Sequence, residues 1–139
     1  MAALTNYAVQ QINLEMKDGT GTIPSTYYAA AMKVMPALDG TGGTEVDPGV
    51  NTWYARVAVT LDTPSLAGRS MANADEISWH SSAPDAITGN IVGTVLYDDA
   101  TYGMGNAWVL APATNQISVG IGSPLKIAVG QLVIEYPTT

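Results

Sequence analysis

The chain has 139 residues, the length of one domain, and at that size it buries roughly two thirds of its unfolded surface, so it needs neither a disulfide nor a metal to fold. It contains no cysteine, which fits a reducing compartment. Its net charge is −7, and its only fixed cations, Lys17, Lys33, Arg56, Arg69 and Lys126, are scattered, which excludes the basic patches that release counterions on nucleic acid.

The N-terminal MAALTNYAVQQ lacks the basic region and apolar run of a signal peptide, and no window approaches the roughly 18 apolar residues of a spanning helix. A soluble, cytosolically made protein is expected. Residues 5–19 read as a short helix, with Thr5 or Asn6 as the cap and Gly19 as the stop. Ile12, Leu14 and Met16 alternate as in a strand, so this segment is a helix or an ordered arm. Residues 26–35 (TYYAAAMKVM) form a buried strand ended by Pro36. Residues 39–50 (DGTGGTEVDPGV) are a loop by composition. Residues 53–61 (WYARVAVTL) alternate, with Trp53, Ala55, Val57, Val59 and Leu61 on one face and Tyr54, Arg56, Ala58 and Thr60 on the other. A loop runs through Pro64 and Gly68, followed by short strands near 76–80, a long one over 87–97, and others over 107–110, 116–121, 125–129 and 131–136. The fold class is therefore all-β: an antiparallel β-sandwich, jelly-roll-like, with a short N-terminal helix or arm. The division is an arm or helix over 1–20 and a sandwich over 21–139.

Asp98 and Asp99 open a glycine- and tyrosine-rich bend, DDATYGMGN. Neighbouring strand residues point to opposite faces, and a hard cation wants about six oxygens, which Thr101 and Asn106 do not complete. Aspartate favours turns because it bonds its own following amides, so the turn reading outweighs the metal one. His80 is the only histidine, with Asp75, Glu76, Ser81 and Asp85 nearby. No nucleophile elbow accompanies it, and a strand-end surface residue outweighs a catalytic base. One histidine without cysteine also excludes the usual zinc sets. GTGG at 40–43 lacks the lysine of a phosphate cradle. The aromatic residues fit core packing better than a sugar platform, with Tyr102 the one placed to be exposed. No catalytic residue, metal site or cofactor is expected. Charged residues make up 12%, about half the usual share, which hints that part of the surface is covered by a partner.

Five segments in order carry a resemblance: TGGTEV (41–46), YARVAVT (54–60), NADEISW (73–79), LYD (96–98) and VGQLVI (129–134). With them the chain resembles a family of small tailed-bacteriophage virion proteins, often described as tail-fibre-like. The resemblance spans nearly the whole chain, though its motifs are structural punctuation. The family's usual D-A-x-x-G-G-N turn is here DDATYGMGN, with an added aspartate and a tyrosine.

The resemblance implies a non-enzymatic structural component of the virion, made in the host bacterial cytoplasm. Two placements compete. A capsid decoration, or cement, protein would sit on the capsid surface with the major capsid protein and copies of itself, as a homotrimer, for partners. It would stabilise the assembled shell by mass action across an interface of about 1,200–2,000 Å². A tail or tail-fibre component would instead touch host surface glycans. The chain has no fibrous repeat or heptad, which favours decoration. Neither nucleic acid nor membrane is an expected partner. Leu4, Tyr7, Val9 and Ile12 in the arm are the expected capsid or subunit contacts, unless they fold back on the sandwich. Asp98, Asp99 and Tyr102 are the expected exposed loop for a ligand.

Overall fold

A computed structural model describes residues 2–62 and 70–135. In chain order its elements are β1 (Ala3–Leu4), α1 (Asn6–Asp18), β2 (Tyr27–Val34), β3 (Thr44–Glu45), β4 (Val57–Val59), β5 (Ser70–Ala72), β6 (Ile77–His80), β7 (Asn90–Tyr97), β8 (Ala107–Ser118), β9 (Leu125–Ile127) and β10 (Val133–Glu135). The loop through Pro64 and Gly68, Arg69 and Tyr136 fall outside the described residues.

The main sheet runs β1-β8-β7-β2-β3, with β4 also on β2; β10-β5 and β6-β9 form two further ladders. All named pairings are antiparallel. The larger core joins Ala29, Ala31, Leu96 and Trp108 of the main sheet to Ile77, Trp79, Leu125 and Ile134 of the two ladders. The protein is thus an antiparallel β-sandwich with a short N-terminal helix. β2 explains its own composition. Ala29 and Ala31 face the larger core, whereas Ala30 and Met32 face a second cluster with Val95, Ala107 and Leu110. A strand buried on both faces reads as a continuous apolar run.

Helix wins over strand at the N-terminus because its cap is tied into the sheet. Thr5 Oγ1 accepts the Ala8 N–H at 3.1 Å and donates to the Ala107 carbonyl at 2.6 Å, while its own amide donates to the Trp108 carbonyl at 2.9 Å. Gly19 closes the helix at φ 69°, its N–H donating to the Glu15 carbonyl. The alternating Met16 is left exposed.

Three strand expectations need correction. Residues 53–61 form a strand only at Val57–Val59, because a turn from Asn51 to Tyr54 precedes it and the buried Tyr54 and Arg56 side chains bond other segments. Residues 44–45, inside the expected loop, pair with β2. The separate strands expected at 107–110 and 116–121 merge into one, β8, which ends at Ser118 and whose register against β7 shifts between Ile91 and Gly93. Pro112 is accommodated at that shift opposite Gly93, where an added Cβ would lie 2.6 Å from the Ala111 carbonyl oxygen.

Candidate functional site

One edge of β2 is shared between two short strands: β4 pairs with Tyr27–Ala29 and β3 with Met32 and Val34. At Ala31, between them, the carbonyl accepts the Val46 amide, and the amide donates to the Tyr54 hydroxyl oxygen at 2.9 Å. That hydroxyl in turn donates to Glu45 Oε1 at 2.8 Å. A buried phenol thus replaces a missing strand partner, as a buried amide requires. Burial, then the neighbouring Glu45 charge, pushes the Tyr54 hydroxyl far above its ordinary range.

Arg56 completes the cluster. Its Nη2 donates to Glu45 Oε2 at 2.8 Å and its Nε to Oε1 at 3.0 Å, the forked geometry that suits guanidinium and carboxylate. Its Nη1 donates to the carbonyls of Asp99 (2.9 Å) and Met104 (2.8 Å). The guanidinium carbon lies 3.9 Å from the Tyr97 ring centroid. Both partners of the ion pair are nearly inaccessible, at 1% and 7% side-chain exposure. A buried Arg–Glu pair therefore grips the 98–106 loop by two backbone carbonyls.

The loop also closes on itself. Asp98 Oδ1 accepts the Asn106 amide at 2.6 Å, and Oδ2 accepts Asn106 Nδ2 and Trp108 Nε1, each at 3.1 Å. Asp99 Oδ1 accepts the Thr101 amide at 2.7 Å, an Asx turn. Both carboxylates thus serve the turn. Tyr102 and Met104 remain exposed at the tip, at 44% and 57%. Partial burial alone would raise the Asp98 carboxyl, but the hydrogen bonds from Asn106 and Trp108 outweigh it and hold it below its ordinary value of 3.8. A depressed carboxyl stabilises the fold above its unfolded value, and that contribution is lost as the pH falls through the folded one. Asp98→Asn should therefore flatten the acid limb of the stability curve below about pH 4. Denaturant titrations at stepped pH check this, and equally steep limbs would remove Asp98 from the account.

The other expected site residues are dispersed. Leu4 pairs with Val109 in the sheet, and Tyr7 packs edge-on to Trp108 at 5.6 Å. Ile12, on α1, is partly buried, and Val9 is exposed. The arm folds onto its own sandwich. His80 stands at the end of β6, its ring 5.4 Å from that of Trp53 and its Nδ1 accepting the Ser82 amide. Glu76 forms an exposed ion pair with Lys126 at 3.1 Å, away from any histidine pairing. Among the described residues no three His, Asp or Glu side chains converge.

The motif segments meet in space. Glu45, Tyr54, Arg56, Tyr97 and Asp98 come from three of them and form the clamp and loop. Asn73 of a fourth is buried; its Nδ2 donates to the carbonyls of Asp75 and Ala128, and its Oδ1 accepts the Leu132 amide of the fifth. Trp79 Nε1 donates to the Ala29 carbonyl at 3.2 Å, joining the two layers. Sequence reading missed the role of Glu45 and Arg56. The available signal was one arginine alternating with a tyrosine in a chain with very few cations.

The protein is an antiparallel sandwich whose buried polar groups hold one loop. The family described as Podophage GP4 fiber I protein gp80 matches residues 3–135. The chain belongs to this family and is a structural protein of the tailed-phage virion. A comparison with curated proteins gives no match.

Proposed function

We propose that the chain is a component of the virion fibre, with the Tyr102–Met104 tip of the 98–106 loop as an outward contact for host surface glycan. The observation that carries the fibre placement is the family match across residues 3–135, since that family is described as a fibre protein. It outweighs the missing fibrous period, which on sequence alone favours capsid decoration: a compact module can cap or join a shaft supplied by other chains. The loop is favoured as the contact because it is held from within. Arg56 and Asp98 fix its backbone, so little ordering entropy is lost when its apolar tip is covered.

Localising the protein's density in a cryo-EM map of the parent virion tests the placement. Density on the fibres is expected. Knobs repeated over the shell would overturn it and restore decoration, with the major capsid protein as partner. For the loop, phage carrying Tyr102→Ala should assemble normally and adsorb to host cells about tenfold less well, the scale of an aromatic anchor. Normal adsorption would remove the loop from this role.

A further inference from the structure

The tip of the 98–106 loop carries no fixed charge: residues 100–106 are all exposed and contain no Asp, Glu, Lys or Arg. The cations among the described residues stand elsewhere or are spent. Lys17 is in the last turn of α1, about 18 Å along the helix from Thr5, the cap that bonds the base of the loop at Ala107 and Trp108. Lys33 is about 17 Å along β2 from Tyr28, whose partner Tyr97 leads into the loop, and its side chain runs beside Gly89, before the start of β7. Lys126, on β9, pairs with Glu76 at 3.1 Å. Arg56 alone reaches the loop, and it does so from inside, with its side chain 1% exposed and Nε, Nη1 and Nη2 all engaged by Glu45 and the Asp99 and Met104 carbonyls. Carboxylates, in contrast, are at hand. Asp98 is spent on Asn106 and Trp108. Asp99 gives Oδ1 to the Thr101 amide, and among the described residues no donor meets its Oδ2. Asp39 is exposed beside Gly40, whose added Cβ would lie 3.8 Å from Ala107 Cβ at the base of the loop.

Building on the loop contact proposed above, we infer that the glycan it takes is uncharged: a sugar with neighbouring hydroxyl groups and no acidic substituent. An acidic sugar, one bearing uronate, sialate or phosphate, is held by guanidinium or ammonium donors. Arg56 has none left to offer, and the other described cations are distant from the base of the loop or paired. Such a sugar would also meet Asp99 and Asp39 in the field of a chain that carries −7. A like charge about 4 Å from the Asp99 carboxylate weakens binding about fivefold even at the dielectric of bulk water. An uncharged sugar matches what the loop exposes. Its C–H face covers the Tyr102 ring and the Met104 side chain, which are 44% and 57% exposed. Two of its hydroxyls donate to Asp99 Oδ2, an ionised acceptor that takes more than one donor. Asp99 and Tyr102 are at most about 11 Å apart along the chain, within reach of one short oligosaccharide.

The host's surface polysaccharide, separated on an anion exchanger into uncharged and acidic fractions, supplies the probes for binding to the intact chain. The uncharged fraction should bind at least about fivefold more tightly than the acidic one, with an affinity that salt leaves unchanged, and Tyr102→Ala should weaken that binding about tenfold. Asp99→Asn keeps an oxygen for the Thr101 amide and should narrow the gap between the fractions. Ala100→Lys, at an exposed position of the loop, should raise affinity for the acidic fraction about fivefold and leave the uncharged fraction unaffected. Tighter binding of the acidic fraction, equal binding of the two, or a gap that neither charge variant narrows would overturn the uncharged class while leaving the loop as a glycan contact. Binding that Tyr102→Ala does not weaken, or no binding of either fraction, would instead overturn the loop contact itself, and the inferred class with it.

Discussion

Replacing Arg56 with methionine should lower the unfolding free energy by about 3–5 kcal/mol, the cost of leaving a buried charge without its partner. Glu45 would keep the Tyr54 hydroxyl but lose the fork at 2.8 and 3.0 Å, inside a protein that leaves it almost no water. The loop would lose its only side-chain donors to the Asp99 and Met104 carbonyls among the described residues. Arg56→Lys should recover only part of the loss. An ammonium is a compact point charge and cannot reach a carboxylate and two loop carbonyls with separate planar donors. Denaturant unfolding at neutral pH measures both variants. A loss below about 1 kcal/mol would place Arg56 with ordinary surface pairs.

The double variant Arg56→Met with Glu45→Leu separates the pair from its burial. Breaking one side of a buried ion pair is costly, but replacing both sides with apolar groups of similar volume is often neutral. The double variant should therefore be more stable than Arg56→Met alone, a coupling that a double-mutant cycle reads directly. Tyr54 would still accept the Ala31 amide, so the gap in the β2 edge stays filled. The loop should nevertheless become mobile in both variants, visible as faster amide exchange over 98–106, because neither restores its carbonyl partners.

That contrast shows which parts of the protein were legible in its sequence. Strands with a single dominant face or a continuous apolar run, such as β2, β6 and β7, announce themselves through local pattern, and Thr5 and Gly19 mark the helix by elementary capping chemistry. The turn reading of Asp98 and Asp99 follows from local chemistry too, and both carboxylates bond amides of their own loop. What was hidden is non-local. Glu45 sits in a glycine-rich stretch that reads as a loop, and Arg56 occupies a face that reads as polar. Their burial depends on two strands sharing one edge of β2, a pairing that no periodicity encodes. The merging of 107–110 with 116–118 was hidden for a similar reason. Pro112 argues locally for a break, and only Gly93 on the neighbouring strand makes room for the strand to continue.

Gly105→Ala should be the most damaging single-methyl change in the 98–106 loop, and Gly103→Ala supplies its internal reference. Both glycines have positive φ, 79° and 73°, so alanine at either costs about 1–2 kcal/mol in backbone conformation. They differ in their surroundings. A Cβ on Gly103 would meet nothing within 4 Å, whereas one on Gly105 would stand 2.6 Å from Asp98 Oδ1 and from Asp99 Cβ, and 3.0 Å from the Asp99 amide. Relief requires moving the very carboxylate that accepts Asn106 and Trp108, so loop closure and the Trp108 anchor are disturbed together. Gly105→Ala should therefore lose at least 1–2 kcal/mol more than Gly103→Ala, the scale of a lost charge-assisted hydrogen bond. Its near-ultraviolet tryptophan signal should also change, and that of Gly103→Ala should not. Equal losses in the two variants would mean that only backbone conformation matters here, and that the Asp98 contacts adapt without cost.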